Sequence, residues 1–103
     1  MRVVWSVNAA EGAAHNAAYI RREFGNVAKQ RFLAEVRAAV ALLRKNPGIG
    51  APEPLLEDAP VLYRGYIVNG LNKLVYYVHD NVLEIVAFWD TRLEPEAQVG
   101  FLK

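Results

Sequence analysis

Three cations, Arg64, Lys73 and Arg92, stand within a stretch of otherwise strand-forming residues from Leu62 to Arg92, and they are the side chains of this chain best placed to do chemistry. The same stretch carries Glu84 and Asp90, which can accept or give a proton, and His79, whose unperturbed imidazole titrates near neutral pH. Tyr66, Tyr77 and Phe88 add flat rings. Grouped cations hold negative charge, carboxylates and imidazole move protons, and rings stack nucleobases at roughly 1–3 kcal/mol per base. Each type also has a plainer role. Most surface carboxylates are ion-pair partners of a neighbouring cation, a histidine at a turn need do nothing, and an aromatic face is as readily covered by a protein segment. His15 lies among alanines, and neither histidine has a partner at metal-ligand spacing, so no metal and no cofactor is expected.

The elements that would position these residues follow from the turn residues. Asn69-Gly70-Leu71-Asn72 and His79-Asp80-Asn81 divide the stretch into three runs rich in Val, Ile, Tyr and Trp, an antiparallel meander. With Asp80-Asn81 as a two-residue turn, His79 faces Val82, Tyr76 faces Ile85 and Leu74 faces Ala87. With Asn69 to Asn72 as a four-residue loop, Val68 faces Lys73 and Tyr66 faces Val75. Alternation then assigns Tyr63, Ile67, Leu74, Tyr76, Val78, Leu83, Ile85, Ala87 and Trp89 to the core. The opposite face collects Arg64, Tyr66, Val68, Lys73, Val75, Tyr77, Glu84, Val86 and Phe88, with Arg92 continuing its parity. A slip of one residue would turn Glu84 inward together with Arg64 or Lys73, at the cost of buried unpaired charge.

The chain has 103 residues, enough for one domain over 1–103 that buries roughly two-thirds of its unfolded surface. It contains no cysteine, which removes disulfides, thiolate metal sites and cysteine nucleophiles together. The apolar run near Met1 is too short for a signal sequence and no stretch approaches the ~18 residues of a membrane span. A cytoplasmic protein is expected. A net charge of +1 does not itself predict binding to nucleic acid, so any such role depends on how the cations are grouped.

In chain order, Arg2 to Val7 alternates as a short strand, apolar on both sides and therefore expected inside the sheet. Asn8 is a candidate cap for a helix over Ala9 to Phe24, small-faced and weakened at Gly12, with Gly25 as its stop. A second helix, about Val27 to Lys45, carries the stripe Phe32, Val36, Val40 and Leu43 and ends at Asn46-Pro47-Gly48. Arg21, Arg22, Lys29 and Arg31 form a second basic cluster at the joint, where dipole compensation and solubility suffice to explain them. Pro47 to Pro60 reads as an irregular connection pinned by Ile49, Leu55 and Leu56, and Leu93 to Leu102 as a short terminal helix. The architecture is α+β: a small antiparallel sheet in the order β-α-α-β-β-β with a helical hairpin packed on one face.

This order resembles the RelE/ParE superfamily of bacterial toxins from type II toxin–antitoxin modules. The matching residues are Ala9 and Tyr19-Ile20 on the first helix, Ala28 and Phe32 on the second, Leu42/Leu43, Asn46-Pro47 and Gly50 after it, Tyr63-Arg64, Lys73 to Val78, and Arg92. The resemblance implies a toxin bound by a cognate antitoxin, with DNA gyrase as target if it is ParE-like or the ribosome and its messenger RNA if it is RelE-like. A binding module acting only within a regulatory toxin–antitoxin complex is a third possibility. By position, Arg64, Lys73 and Arg92 match basic residues of the RelE-type site. Tyr66 stands where that type has a lysine, and Gln98 stands near its C-terminal tyrosine.

Metal-independent attack of a 2′-hydroxyl needs a base, an acid and cations for the phosphorane-like transition state. Arg64, Lys73 and Arg92 would supply the cations, while a base and an acid are hard to find. The balance leans to ParE-like, non-nuclease activity. Tyr66, Tyr77, Glu84 and Phe88 are the expected contacts for target or antitoxin, whose acidic amphipathic segment suits an aromatic face ringed by cations. Replacing Arg64 and Lys73 by alanine is expected to leave the domain folded, because both are assigned to the open face.

Overall fold

Serine and glycine set the limits of the helical hairpin. In the computed structural model, which describes residues 1–70 and 72–91, α1 spans Val7–Phe24 and α2 spans Asn26–Lys45. Ser6, not Asn8, caps α1. Its Oγ accepts from the Ala9 N–H at 3.0 Å and donates to the Val86 carbonyl at 3.1 Å, so the residue that leaves the first strand also starts the helix. Gly25 closes α1 through its N–H to the Arg21 carbonyl and leads directly into α2. The second helix buries Phe32, Val36 and Leu43, as its stripe predicts, with Ala39 buried beside them and Val40 half-buried. At about 1.5–3 kcal/mol for each large apolar side chain fully buried, this face is what holds the hairpin to the sheet. Gly12 has a packing reason: a Cβ there would stand 2.8 Å from the Phe88 carbonyl oxygen. The helix crosses the sheet closer than an alanine would permit.

The remaining elements are β1 (Arg2–Trp5), β2 (Ala51–Pro52), a short 3-10 turn (Pro54–Leu56), β3 (Arg64–Asn69), β4 (Asn72–His79) and β5 (Val82–Asp90). They form one sheet in the order β1-β5-β4-β3-β2. The α+β architecture and the helical hairpin on one face match the expectation, with two corrections to the sheet. It is mixed, because β1 runs parallel to β5, and β1 lies at its end, not inside it. The apolar character of β1 comes from Val3 and Trp5 packing on the helix-side core. The connection after α2 also contributes β2, paired with β3. Of its expected anchors, Leu56 packs on the sheet, whereas Ile49 and Leu55 are exposed.

The β4–β5 hairpin turns at Asp80 and Asn81, both at positive φ, and pairs His79 with Val82, Tyr77 with Glu84 and Tyr76 with Ile85, as expected. The next pair is Val75 with Ala87, so Val86 is an extra residue on β5. From there the faces exchange. Phe88 turns to the helices, edge-on to Phe32 at 5.8 Å, and Ala87 and Trp89 turn to the outer face. The β3–β4 connection is also tighter than expected, since Asn69 pairs with Asn72. Tyr66 accordingly sits opposite Leu74 and Ile67 opposite Lys73, which sends Tyr66 and Val68 to the helix side and leaves Ile67 exposed.

A chain of amides joins both helices to this end of the sheet. Asn16 of α1 donates to Asn72, Asn72 donates to Asn69 at 3.0 Å, and Asn69 donates to Glu35 of α2 at 3.2 Å. Asn72 is buried, so these bonds satisfy groups that would otherwise be costly. The terminal helix expected over 93–102, and Gln98 and Arg92 with it, lie outside the described residues.

Candidate functional site

Arg64 and Lys73, the two described cations of the expected face, have separate environments. Arg64 shares the helix side with Tyr76, its partner across the ladder, whereas Lys73 lies on the outer face. The expected common face for the two is therefore corrected, and the reason is the register of β3. The Arg64 guanidinium donates to the carbonyls of Gly50 at 2.8 Å and Gly48 at 3.3 Å. Beside it the Tyr76 hydroxyl donates to the Pro47 carbonyl at 2.7 Å and accepts from the Gly50 N–H at 3.0 Å. Together they clasp the segment that leaves α2. Burial raises the Tyr76 pKa above the ordinary tyrosine value, outweighing the Gly50 N–H and the Arg64 charge, which lower it.

Lys73 is neutralised where it stands. Its Nζ lies 2.7 Å from Glu53 Oε2, with the lysine side chain 17% exposed and the glutamate 2%. The ammonium also lies over the Trp89 ring, 5.2 Å from its centre. Glu53 is held in turn by the Leu55 N–H, which it accepts at 3.4 Å. Gly65 makes the space, because a Cβ there would come within 2.8 Å of the Glu53 carboxylate and 3.1 Å of the Lys73 stem. Glu53 escapes sequence reasoning since it falls in an irregular segment with no periodicity. The available signals were a glutamate between two prolines and a glycine inside a strand, which marks a close approach.

Farther along the outer face, toward the β4–β5 turn, Tyr77, His79 and Glu84 form a network. The Tyr77 hydroxyl donates to Glu84 Oε2 at 2.8 Å, and His79 Nε2 lies 3.0 Å from the same oxygen. The imidazole stacks on the Tyr77 ring at 4.8 Å with 18° between planes, and Tyr63 meets that ring edge-on at 5.4 Å. His79 Nδ1 is 3.7 Å from the Asp80 carboxylate. The bond to Glu84 is the main cause of a raised Tyr77 pKa, followed by desolvation and the glutamate charge. Glu84 thus partners a phenol and an imidazole, not Arg64 or Lys73.

The four expected contact residues divide. Tyr77 and Glu84 come together on the outer face, while Tyr66 packs on the helix-side core and Phe88 is buried within it. Neither of the latter rings is placed to stack a base. Trp89 is buried on the outer side, and its indole N–H has no hydrogen-bond partner among the described residues. Among the described residues no cluster of three or more His, Asp or Glu side chains could hold a metal, and no helix is long and apolar enough to cross a membrane. Among the described residues the outer face offers the hydrogen-bonded acid–base network of Tyr77, Glu84 and His79 and the closed ion pair of Lys73 and Glu53.

Comparison with known proteins agrees with the fold. The sequence model of a family described as ParE toxin of type II toxin–antitoxin system, parDE, matches residues 3–94. Among solved structures, one described as the chromosomal ParDE TA system from P. aeruginosa superposes with a TM-score of 0.71 at 15% identity, covering 87% of this chain and 95% of that one. The YoeB/ParE toxin from Agrobacterium tumefaciens gives 0.60 at 20% identity over 87% and 98%. A heterotetrameric YoeB-YefM toxin-antitoxin complex from Staphylococcus aureus gives 0.55 at 22% identity over 84% and 92%. No curated protein matches.

Proposed function

Since the chain belongs to the ParE toxin family of type II toxin–antitoxin systems, we propose that it is a ParE-like toxin that inhibits DNA gyrase without cutting RNA and is neutralised by a cognate antitoxin. The observation that carries the non-nuclease part is the Lys73–Glu53 pair. A lysine whose charge is met at 2.7 Å by a buried carboxylate adds little field for an incoming phosphate, and Arg64, on the opposite face, is committed to backbone carbonyls. A surface for gyrase is available at the hairpin joint, where exposed Phe24 and Val27 lie beside Arg21, Arg22 and Lys29.

The alternative, ribosome-dependent messenger RNA cleavage, is favoured by one feature, the Tyr77–Glu84–His79 network, which places proton-transfer groups on an accessible face. In that case Arg64, Lys73 and Arg92 would have to carry the transition-state charge. Purified protein added to gyrase and relaxed plasmid separates the two. Inhibited supercoiling with messages left intact in translating extracts is the expected result, and codon-positioned cuts with gyrase unaffected would overturn it.

A further inference from the structure

Asn69 alone of the chain's asparagines is followed by a glycine. The pair has a chemistry of its own, because the main-chain nitrogen that follows an asparagine can attack its side-chain amide carbon, and a glycine leaves that nitrogen unshielded. Gly70 is exposed at the β3–β4 turn, and a Cβ built on it meets nothing within 4 Å. The other asparagines are placed differently. Asn8, Asn16 and Asn26 lie in helices, Asn46 precedes Pro47, which has no N–H to give up, Asn72 is buried, and Asn81 precedes the branched Val82.

Asn69 is also a joint between elements. Its Nδ2 donates to Glu35 Oε2 at 3.2 Å and its Oδ1 accepts from Asn72 Nδ2 at 3.0 Å, so one side chain couples α2 to the buried start of β4. An amide can hold both partners because it donates and accepts; an ionised carboxylate only accepts.

We propose that Asn69 is a site of spontaneous deamidation and that the product unties α2 from the sheet. The Gly70 nitrogen gives its proton to solvent and bonds to Asn69 Cγ. The Cγ–Nδ2 bond breaks, and Nδ2 takes a proton back from solvent and leaves as ammonia. Water then opens the cyclic imide at either carbonyl, giving aspartate or isoaspartate. Because the closed link holds the amide at both ends, the reaction draws on its local openings. In the aspartate an oxygen replaces Nδ2 beside Glu35 Oε2, so Asn72 keeps its acceptor while the bond to α2 becomes a repulsion between like charges. Isoaspartate also lengthens the main chain where the β3–β4 register is already irregular, between Ile67 and Asn69. None of this depends on the toxin assignment.

Incubation of the purified full chain at neutral pH, followed by peptide mass mapping and urea denaturation, tests this. Acid should accumulate at position 69 at least about 10-fold faster than at any other asparagine, and Gly70→Ala, whose methyl group has room, should slow it by about 10-fold or more. The aged wild type should unfold at lower urea than the fresh protein, while Gly70→Ala keeps its midpoint. Asn69→Asp should show the same loss directly, and adding Glu35→Gln should restore most of it, because the glutamine amide donates to the new carboxylate. No excess of acid at position 69 would overturn the inference. So would acid there with an unchanged urea midpoint, or an Asn69→Asp protein that Glu35→Gln fails to rescue.

Discussion

The two faces of the sheet use their polar residues differently. On the helix side, Arg64 and Tyr76 end on main-chain groups of Pro47, Gly48 and Gly50, and the amides of Asn16, Asn72 and Asn69 form a chain that ends on Glu35. The bonds of Arg64 and Tyr76 fix the path of the backbone and cannot be exchanged for a partner without loosening it, and the amide chain ties both helices to the buried Asn72. On the outer face, side chains bond to one another: Lys73 to Glu53, and Tyr77 and His79 to Glu84. Such pairs can be remodelled by a ligand that offers equivalent groups, provided they are accessible. A positive residue in a strand is therefore no guide to function until its face is known, and two cations nine positions apart in sequence here have unrelated tasks.

The largest effect that would sharpen this contrast belongs to the buried pair. Lys73→Met leaves the Glu53 carboxylate without its cation and should cost about 3–5 kcal/mol of stability in urea denaturation, with much of the loss recovered when Glu53→Gln is added. A cost of less than about 1 kcal/mol would mean that the pair behaves as an exposed one, and the distinction between the faces would break. Next in size is Tyr76→Phe, which strips the Pro47 carbonyl and the Gly50 N–H of a partner. A loss of about 1–3 kcal/mol is expected by the same measurement.

The smallest effect is that of Tyr77→Phe, because the phenol lies on an accessible face and Glu84 keeps His79. Its signature is a titration. Tyr76 and Tyr77 both hold their protons above the ordinary value of 10.0, so as pH rises past that value the unfolded chain ionises first and the folded state binds more protons. Stability is unaffected by these phenols below that range and falls as pH climbs through it. Tyr77→Phe should flatten the fall and remove one late step from the ultraviolet phenolate titration. A wild-type protein that gains stability with rising alkalinity would contradict the assignment for both residues.

Much of the fold is legible in the sequence because helical stripes and turn residues carry strong local signals. Phe32, Val36 and Leu43 announce one face of α2, and Asp80-Asn81 fixes a hairpin tightly enough to place Tyr77 opposite Glu84. The sheet faces beyond that hairpin are not legible for a physical reason. Val86, Ala87, Phe88 and Trp89 are all apolar, so nothing in their types opposes an extra residue, and a single bulge exchanges the faces of Phe88 and Trp89 without burying a charge. The position of β1 fails similarly, since apolar residues on both sides describe an interior strand and an end strand under a helix equally well. Glu53 was hidden because its role depends on Gly65 and Lys73, neither of which is near it in sequence.

The parallel pairing of β1 with β5 also governs when the molecule can exist. Ser6 and Val86, which share a hydrogen bond, are 80 positions apart, and the register from Arg2–Val82 to Trp5–Ile85 cannot form until β5 has been synthesised. Contacts so distant along the chain are entropically expensive to close and form late. During translation the helical hairpin emerges early, while the sheet that it covers stays open until β5 leaves the ribosome. That order leaves the growing chain with an uncovered apolar face on its helices until β5 has emerged.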